Sequence, residues 1–341
     1  MQSKINQILI SNRMLFIIGA VFILASCTIN SGDNSQIEKN DRLLDAIQNA
    51  DLDKAQAAIH DGADVDAKWS DHDDMTSLML ASKKGLLKIV ELLLDCGADP
   101  NLYLKSTKDG ATAIMLASYN GHAKIVKLLL DKGANTDHRE TVNGKTSLLI
   151  ASEKGHVDVV DLLLAGGADV EERQTRNGAT ALMKASQNGH ADVVELLLAG
   201  GANIEAKGTK GSDTALMLAS FNGHTKVVKL LLEKGANIDH RETVNGYTSL
   251  LIASEKGHVD VVDLLLAGGA DVEARLPKTG ATALMLASQN GHAKVVKLLL
   301  ENGADVNART TDRLQLTALG VANKAKKKAV SKILEEVGAV E

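Results

Sequence analysis

The sequence predicts an all-α solenoid, and two observations carry that prediction. The stretch His138 to Glu171, HRETVNGKTSLLIASEKGHVDVVDLLLAGGADVE, returns 102 residues later at His240 to Glu273, with Tyr247 in place of Lys145. Within that offset a threonine opens each block at Thr112, Thr146, Thr180, Thr214, Thr248 and Thr282, always 34 residues apart. Thr76 and Thr317 continue the series at spacings of 36 and 35. A fixed period of this size marks stacked units that each pack on their neighbours, not one globular core.

Each unit reads as two short helices. The threonine suits an N-cap, because its hydroxyl can accept a bond from an orphan amide of the first turn. After Thr146 come Leu148, Leu149, Ile150 and Ala151, a short apolar helix. A turn follows, written most plainly as Asn188-Gly189-His190. Val159, Val160, Leu162, Leu163 and Leu164 form the apolar side of a second helix, and Gly166-Gly167 ends it, since glycine tolerates the left-handed cap conformation. A polar loop containing Asn177-Gly178 leads to the next threonine. Helices of about 8–10 residues are not stable alone in water, so they persist only when stacked.

The run GATALMLASQNGHAKVVKLLLENGADVNAR, Gly280 to Arg309, resembles the ankyrin repeat, and the resemblance extends from Asp41 to Glu341. It implies a solenoid of helix-turn-helix units joined by short β-hairpin-like finger loops, a concave face made of fingers and first helices, and a protein partner bound there. Two departures stand out. The usual Thr-Pro-Leu-His of the first helix is Thr-Ala-Leu-Met or Thr-Ser-Leu-Leu here, which removes the proline of the first helical position and should loosen that turn. The period is also one residue longer than the family's, with the extra residue in the loop between Gly133 and Thr146 and its equivalents.

The N-terminus is a separate segment. Lys4 and Arg13 supply a positive start, Met14 to Ala25 is apolar, and Leu24-Ala25-Ser26-Cys27 follows. Twelve apolar residues suit the h-region of a signal peptide and are too short to span a hydrocarbon core of about 30 Å. Leu-Ala-Ser-Cys resembles the lipobox of bacterial lipoproteins. That resemblance implies cleavage after residue 26 and lipid on Cys27, and hence a location in a bacterial cell envelope, on the outer membrane or its periplasmic side. The plainer alternative is an ordinary signal peptide with a chance cysteine. Residues 27–40 read as a flexible tether. Residues 41–68 read as a degenerate capping unit in which Asp41 replaces the threonine cap, and residues 317–341 as the C-terminal cap, about nine units in all. The lysines at 324, 326, 327, 328 and 332 suit a solvated cap face.

Of 38 basic and 43 acidic residues, Lys4 and Arg13 fall in the segment to be removed, leaving a mature net charge of −7. That argues against nucleic acid as a general target. With Cys27 lipidated, Cys96 would have no internal partner.

No constellation predicts catalysis or a cofactor. The histidines at 122, 156, 190, 224, 258 and 292 recur at one repeat position. Helices about 8–10 Å apart cannot share an ion that needs ligands within about 2 Å, so they read as turn residues and no metal is expected. Asp71, His72, Asp73 and Asp74 lack the alternating order of a calcium loop. Asp137-His138-Arg139-Glu140 and its copy from Asp239 sit on fingers without an evident pocket. A basic column through Arg139, Arg173, Lys207, Arg241, Arg275 and Arg309 is either a habit of the scaffold or a ridge for an acidic partner.

The aromatics are more informative. Outside the signal peptide there are five, Trp69, Tyr103, Tyr119, Phe221 and Tyr247, and none occupies a repeated core position. Trp69 and Tyr103 fall on fingers, Tyr247 precedes a threonine cap, and Tyr119 and Phe221 lie seven residues after theirs. They are expected, with Arg139 and Arg241, to bind the protein partner. The rival readings are an accessory scaffold for a periplasmic enzyme and a structural spacer without a specific ligand.

Overall fold

The structure, a computed structural model, describes residues 36–72, 74–103 and 110–341. The segment expected to be a signal peptide, residues 1–26, and the expected lipidation site Cys27 lie outside them. Among the described residues the chain forms nine helix pairs, with one two-stranded hairpin in the first finger. The all-α repeat fold expected from the period is what the chain adopts.

The threonines act as caps. Thr180 Oγ1 accepts from the amide of Met183 at 3.4 Å, Thr248 from Leu251 at 3.3 Å and Thr317 from Gly320 at 3.2 Å. Thr112 is the exception, an extended N-cap whose hydroxyl makes no such bond. The first helices end on left-handed glycines such as Gly257, at φ +81°. Glycine is required there twice over. A side chain would be strained at that φ, and its Cβ would stand 2.5 Å from the His292 ring of the following unit.

The first pair is Gln36–Gln48 and Leu52–His60. This differs from the expected boundary, because the helix takes in the last five residues assigned to the tether and places Asp41 inside it. The buried residues Leu43, Ala46 and Ile47 set the helical stripe, and the polar residues before them extend it. Asn40 belongs to the folded part, since its Oδ1 accepts from the Asp64 amide at 2.8 Å.

The chain divides into two compact units. One comprises residues 36–150 and 161–168, the other residues 151–160 and 169–341. In the first, Ser77–Lys84 packs on Ala113–Tyr119, and Leu87–Asp95 packs on Ala123–Asp131. In the second, the first helices Ala181–Asn188, Ala215–Asn222, Ser249–Lys256, Ala283–Asn290 and Ala318–Lys324 pack one on the next. Their second helices, from Ala191–Ala199 through Thr225–Glu233, Val259–Ala267 and Ala293–Glu301 to Lys328–Glu336, do the same. Val193, Val194 and Leu197 and their equivalents are fully buried, so the core is aliphatic throughout. Serines are buried with it: Ser186, Ser220, Ser254 and Ser288 are inaccessible and their hydroxyls have no partner.

Cys96 is disulfide-bonded, which corrects the expectation of a thiol without a partner.

Candidate protein-binding face

The turn histidines join one repeat to the next. In the first unit the His122 ring reaches the Lys83 carbonyl at 3.3 Å. In the second, His190, His224, His258 and His292 donate Nε2–H to the carbonyls of Glu153, Gln187, Phe221 and Glu255 at 3.1, 3.0, 2.9 and 2.9 Å. Each acceptor is the residue seven places after its threonine, the register that holds Tyr119 and Phe221. Their spacing marks these histidines as turn residues; their link to the preceding unit depends on how two helix ends meet and has no signal in the sequence.

The fingers are joined in the same way. Arg173 Nη1 donates to the carbonyls of Gly178 and Lys207, Arg241 to Gly246 and Arg275, and Arg275 to Gly280 and Arg309. Arg241 therefore works inside the framework, with its side chain still exposed; Arg139 is exposed as well. Backbone amides add a second rung. Thr209 N–H donates to Asn177, Thr243 to Gly211 and Thr311 to Thr279, at 2.8 to 2.9 Å. Carboxylates add a third, for the amides of Asn203, Asn237 and Asp305 donate to Glu171, Glu205 and Glu273.

The His-Arg-Glu stretches serve their own loops. His138 and His240 donate to the carbonyls of Gly110 and Ser212, both at 2.9 Å. The Glu242 carboxylate accepts from the amides of Val244, Asn245 and Tyr247. Burial pushes that carboxyl up, but the amides outweigh it and hold it below its ordinary range. The acidic stretch before Thr76 includes a short 3-10 turn, Ser70–His72, and the His72 ring nitrogen lies 2.8 Å from Gln48 Nε2. Among the described residues no three His, Cys, Asp or Glu side chains are grouped to hold a metal ion.

The five aromatics divide. Trp69 is only 8% exposed, which corrects its assignment to the binding surface. Lys68–Trp69 pairs with Met75–Thr76 as an antiparallel hairpin, and the pleat turns the indole inward. Tyr103 is 38% exposed, bridges Thr112 and sets its ring 5.1 Å from that of His138. Tyr119 and Phe221 are the most open, at 52% and 49%. The Phe221 ring carries Lys256 Nζ at 4.6 Å from its centroid. Tyr247 is half-buried in a groove of about 520 Å³ between the last fingers and first helices. Burial and a hydrogen bond with Glu255 push its phenol up to about 12.

A family model described as ankyrin repeats (3 copies) matches residues 78–174, 167–242 and 239–310. The chain belongs to the ankyrin-repeat family. The matches together span well over half of its length, and the described fold outside them, from Gln36 and to Glu341, follows the same helix-pair plan. No curated protein matches the chain. Ankyrin repeats are in general protein-interaction modules, so a protein partner is the function the family supports. In the second unit of this ankyrin array the histidine, arginine and carboxylate ladders hold the fingers and first-helix ends in place, and Phe221 stays exposed on one of those ends.

Proposed function

We propose that the chain is a lipid-anchored, extracytoplasmic ankyrin-repeat module that docks another protein on its fingers and first-helix ends. The observation that carries the binding reading is the exposure of Tyr119 and Phe221, each seven residues after its threonine, with the Phe221 helix end held by His258. Aromatics held rigidly at a surface are the residues that dominate interface energies, because they bury large area at little cost in side-chain entropy. The anchor rests on the order of the N-terminal segment: positive start, short apolar run, Leu-Ala-Ser-Cys.

Capture of a partner from envelope extract by a fragment starting at Thr28 tests the binding reading, with Tyr119→Ala and Phe221→Ala combined as the control. The double variant is expected to weaken capture while its melting temperature stays almost unchanged. Capture that is indifferent to both substitutions overturns it. An enzyme as the captured protein favours the accessory-scaffold reading of the same face. For the anchor, Cys27→Ala is expected to abolish fatty-acid labelling; equal label in parent and variant sinks it. The chain has two cysteines. Lipidation of the Cys27 sulfur and a disulfide within the chain exclude each other, and intact-mass measurement of the mature protein decides between them.

A further inference from the structure

One finger departs from its sisters at adjacent positions. Where other fingers carry Glu140, Gln174, Gly208 and Glu242, the finger before Thr282 carries Leu276. Where they carry Thr141, Thr175, Thr209, Thr243 and Thr311, it carries Pro277. The residue before the threonine of the preceding unit is Tyr247, the one change in the duplicated stretch. These departures remove scaffold bonds. Leucine cannot cap the finger turn as Glu140 and Glu242 do, a cap that Gln174 and Gly208 also lack. Proline has no N–H to donate to Asn245 as Thr243 and Thr311 donate to the fingers before them. Local rules broken together at one place point to a functional demand there.

Two of these departures, Tyr247 and Leu276, line a groove. Tyr247 and Leu276 form one wall, Leu286 and Val321 line it from the first helices, and Leu314 and Leu316 close it from the last finger. Leu314 is 59% exposed. Lys324 also lines the groove, with Lys326 and Lys328 exposed just beyond it. The facing carboxylate, Asp312, is already engaged by the Thr310 hydroxyl and the Leu314 amide, and Glu255 is taken by Tyr247.

We infer that this groove receives one bulky apolar side chain of the partner polypeptide, with acidic residues beside it on the lysines. The inference rests on the protein-binding reading above and assigns it an anchor point. An apolar pocket rimmed by charge is where a single hot-spot residue gains most. The committed occupant is an acidic peptide segment, because Lys324 lines an otherwise apolar groove and the carboxylates near it, Asp312 and Glu255, already have partners.

The test selects phage-displayed peptides on the full chain in detergent and measures one selected peptide by fluorescence anisotropy. Selected sequences are expected to share an aromatic or branched residue next to Asp or Glu. Tyr247→Lys with Leu276→Gln restores residues that sister units carry at those places, so the fold should survive, and thermal melting checks it. That variant is expected to weaken binding about tenfold or more. Binding lost with Tyr119→Ala and Phe221→Ala but untouched by the groove variant overturns the groove and leaves the binding face standing. Binding untouched by either pair overturns both. Selected peptides with basic flanks, or no selected peptide, overturn the groove alone, and the pull-down then judges the face separately.

Discussion

His258 Nε2 lies 2.9 Å from the Phe221 carbonyl oxygen, so a residue with half its surface in water is held by the unit that follows it. The same helix end is gripped at its side chain by Lys256. A rigid exposed aromatic in this register is thus a property of two repeats together.

His258→Ala should lower stability by about 1 kcal/mol, the net value of one such hydrogen bond. Urea unfolding measures the loss. Amide exchange around Phe221 should quicken in the same variant; if neither changes, the ring is not what joins the two units.

Ser220→Ala should stabilise the protein. The hydroxyl is buried with no partner, and alanine is the better helix former. A gain of about 1 kcal/mol is expected, seen as a higher melting temperature. A loss would show that the hydroxyl is satisfied in solution.

Arg241→Ala should act on stability before it acts on binding, because Nη1 joins Gly246 and Arg275. A decrease of about 1 kcal/mol is expected for this exposed side chain. Weakened partner capture with an unchanged unfolding curve would instead make the arginine a contact residue.

Tyr247 should impose an alkaline slope. Its phenol stays protonated in the folded state up to about 12, whereas an unfolded tyrosine ionises near its ordinary value of 10.0. Between those values the folded state holds the extra proton, so stability falls as pH rises through the window and is unaffected well below it. Tyr247→Phe should flatten the slope in denaturation curves taken across that range. An identical slope in both proteins would place the phenol in ordinary solvent.

Much of this was legible in the one-dimensional pattern. The caps at Thr180 and Thr248, the glycine at 257 and the aliphatic second helices follow from local propensities repeated at fixed spacing, and repetition makes a weak local signal strong. Trp69 was misplaced for the complementary reason. It lies in an unrepeated hairpin, where no period reports which way a side chain points. The boundary at Asp41 was misread because Gln36 to Asn40 are polar, and polarity alone does not separate a tether from the exposed end of a helix. Leu276 and Pro277 became informative only once the ladder they interrupt was seen.

By itself the sequence determined the repeat, the helix pairs, the kind of core and the family, since stacked units need only nearest neighbours and each neighbour obeys the same local rules. The tertiary structure decided which side chains leave that pattern for a second task. The turn histidines reach back to a carbonyl, Arg241 joins two fingers, Trp69 turns inward and Tyr119 and Phe221 stay outside. Those outcomes depend on distances between residues about one period apart, set by how helix ends and finger loops meet in space, and a single chain of letters carries no such distances.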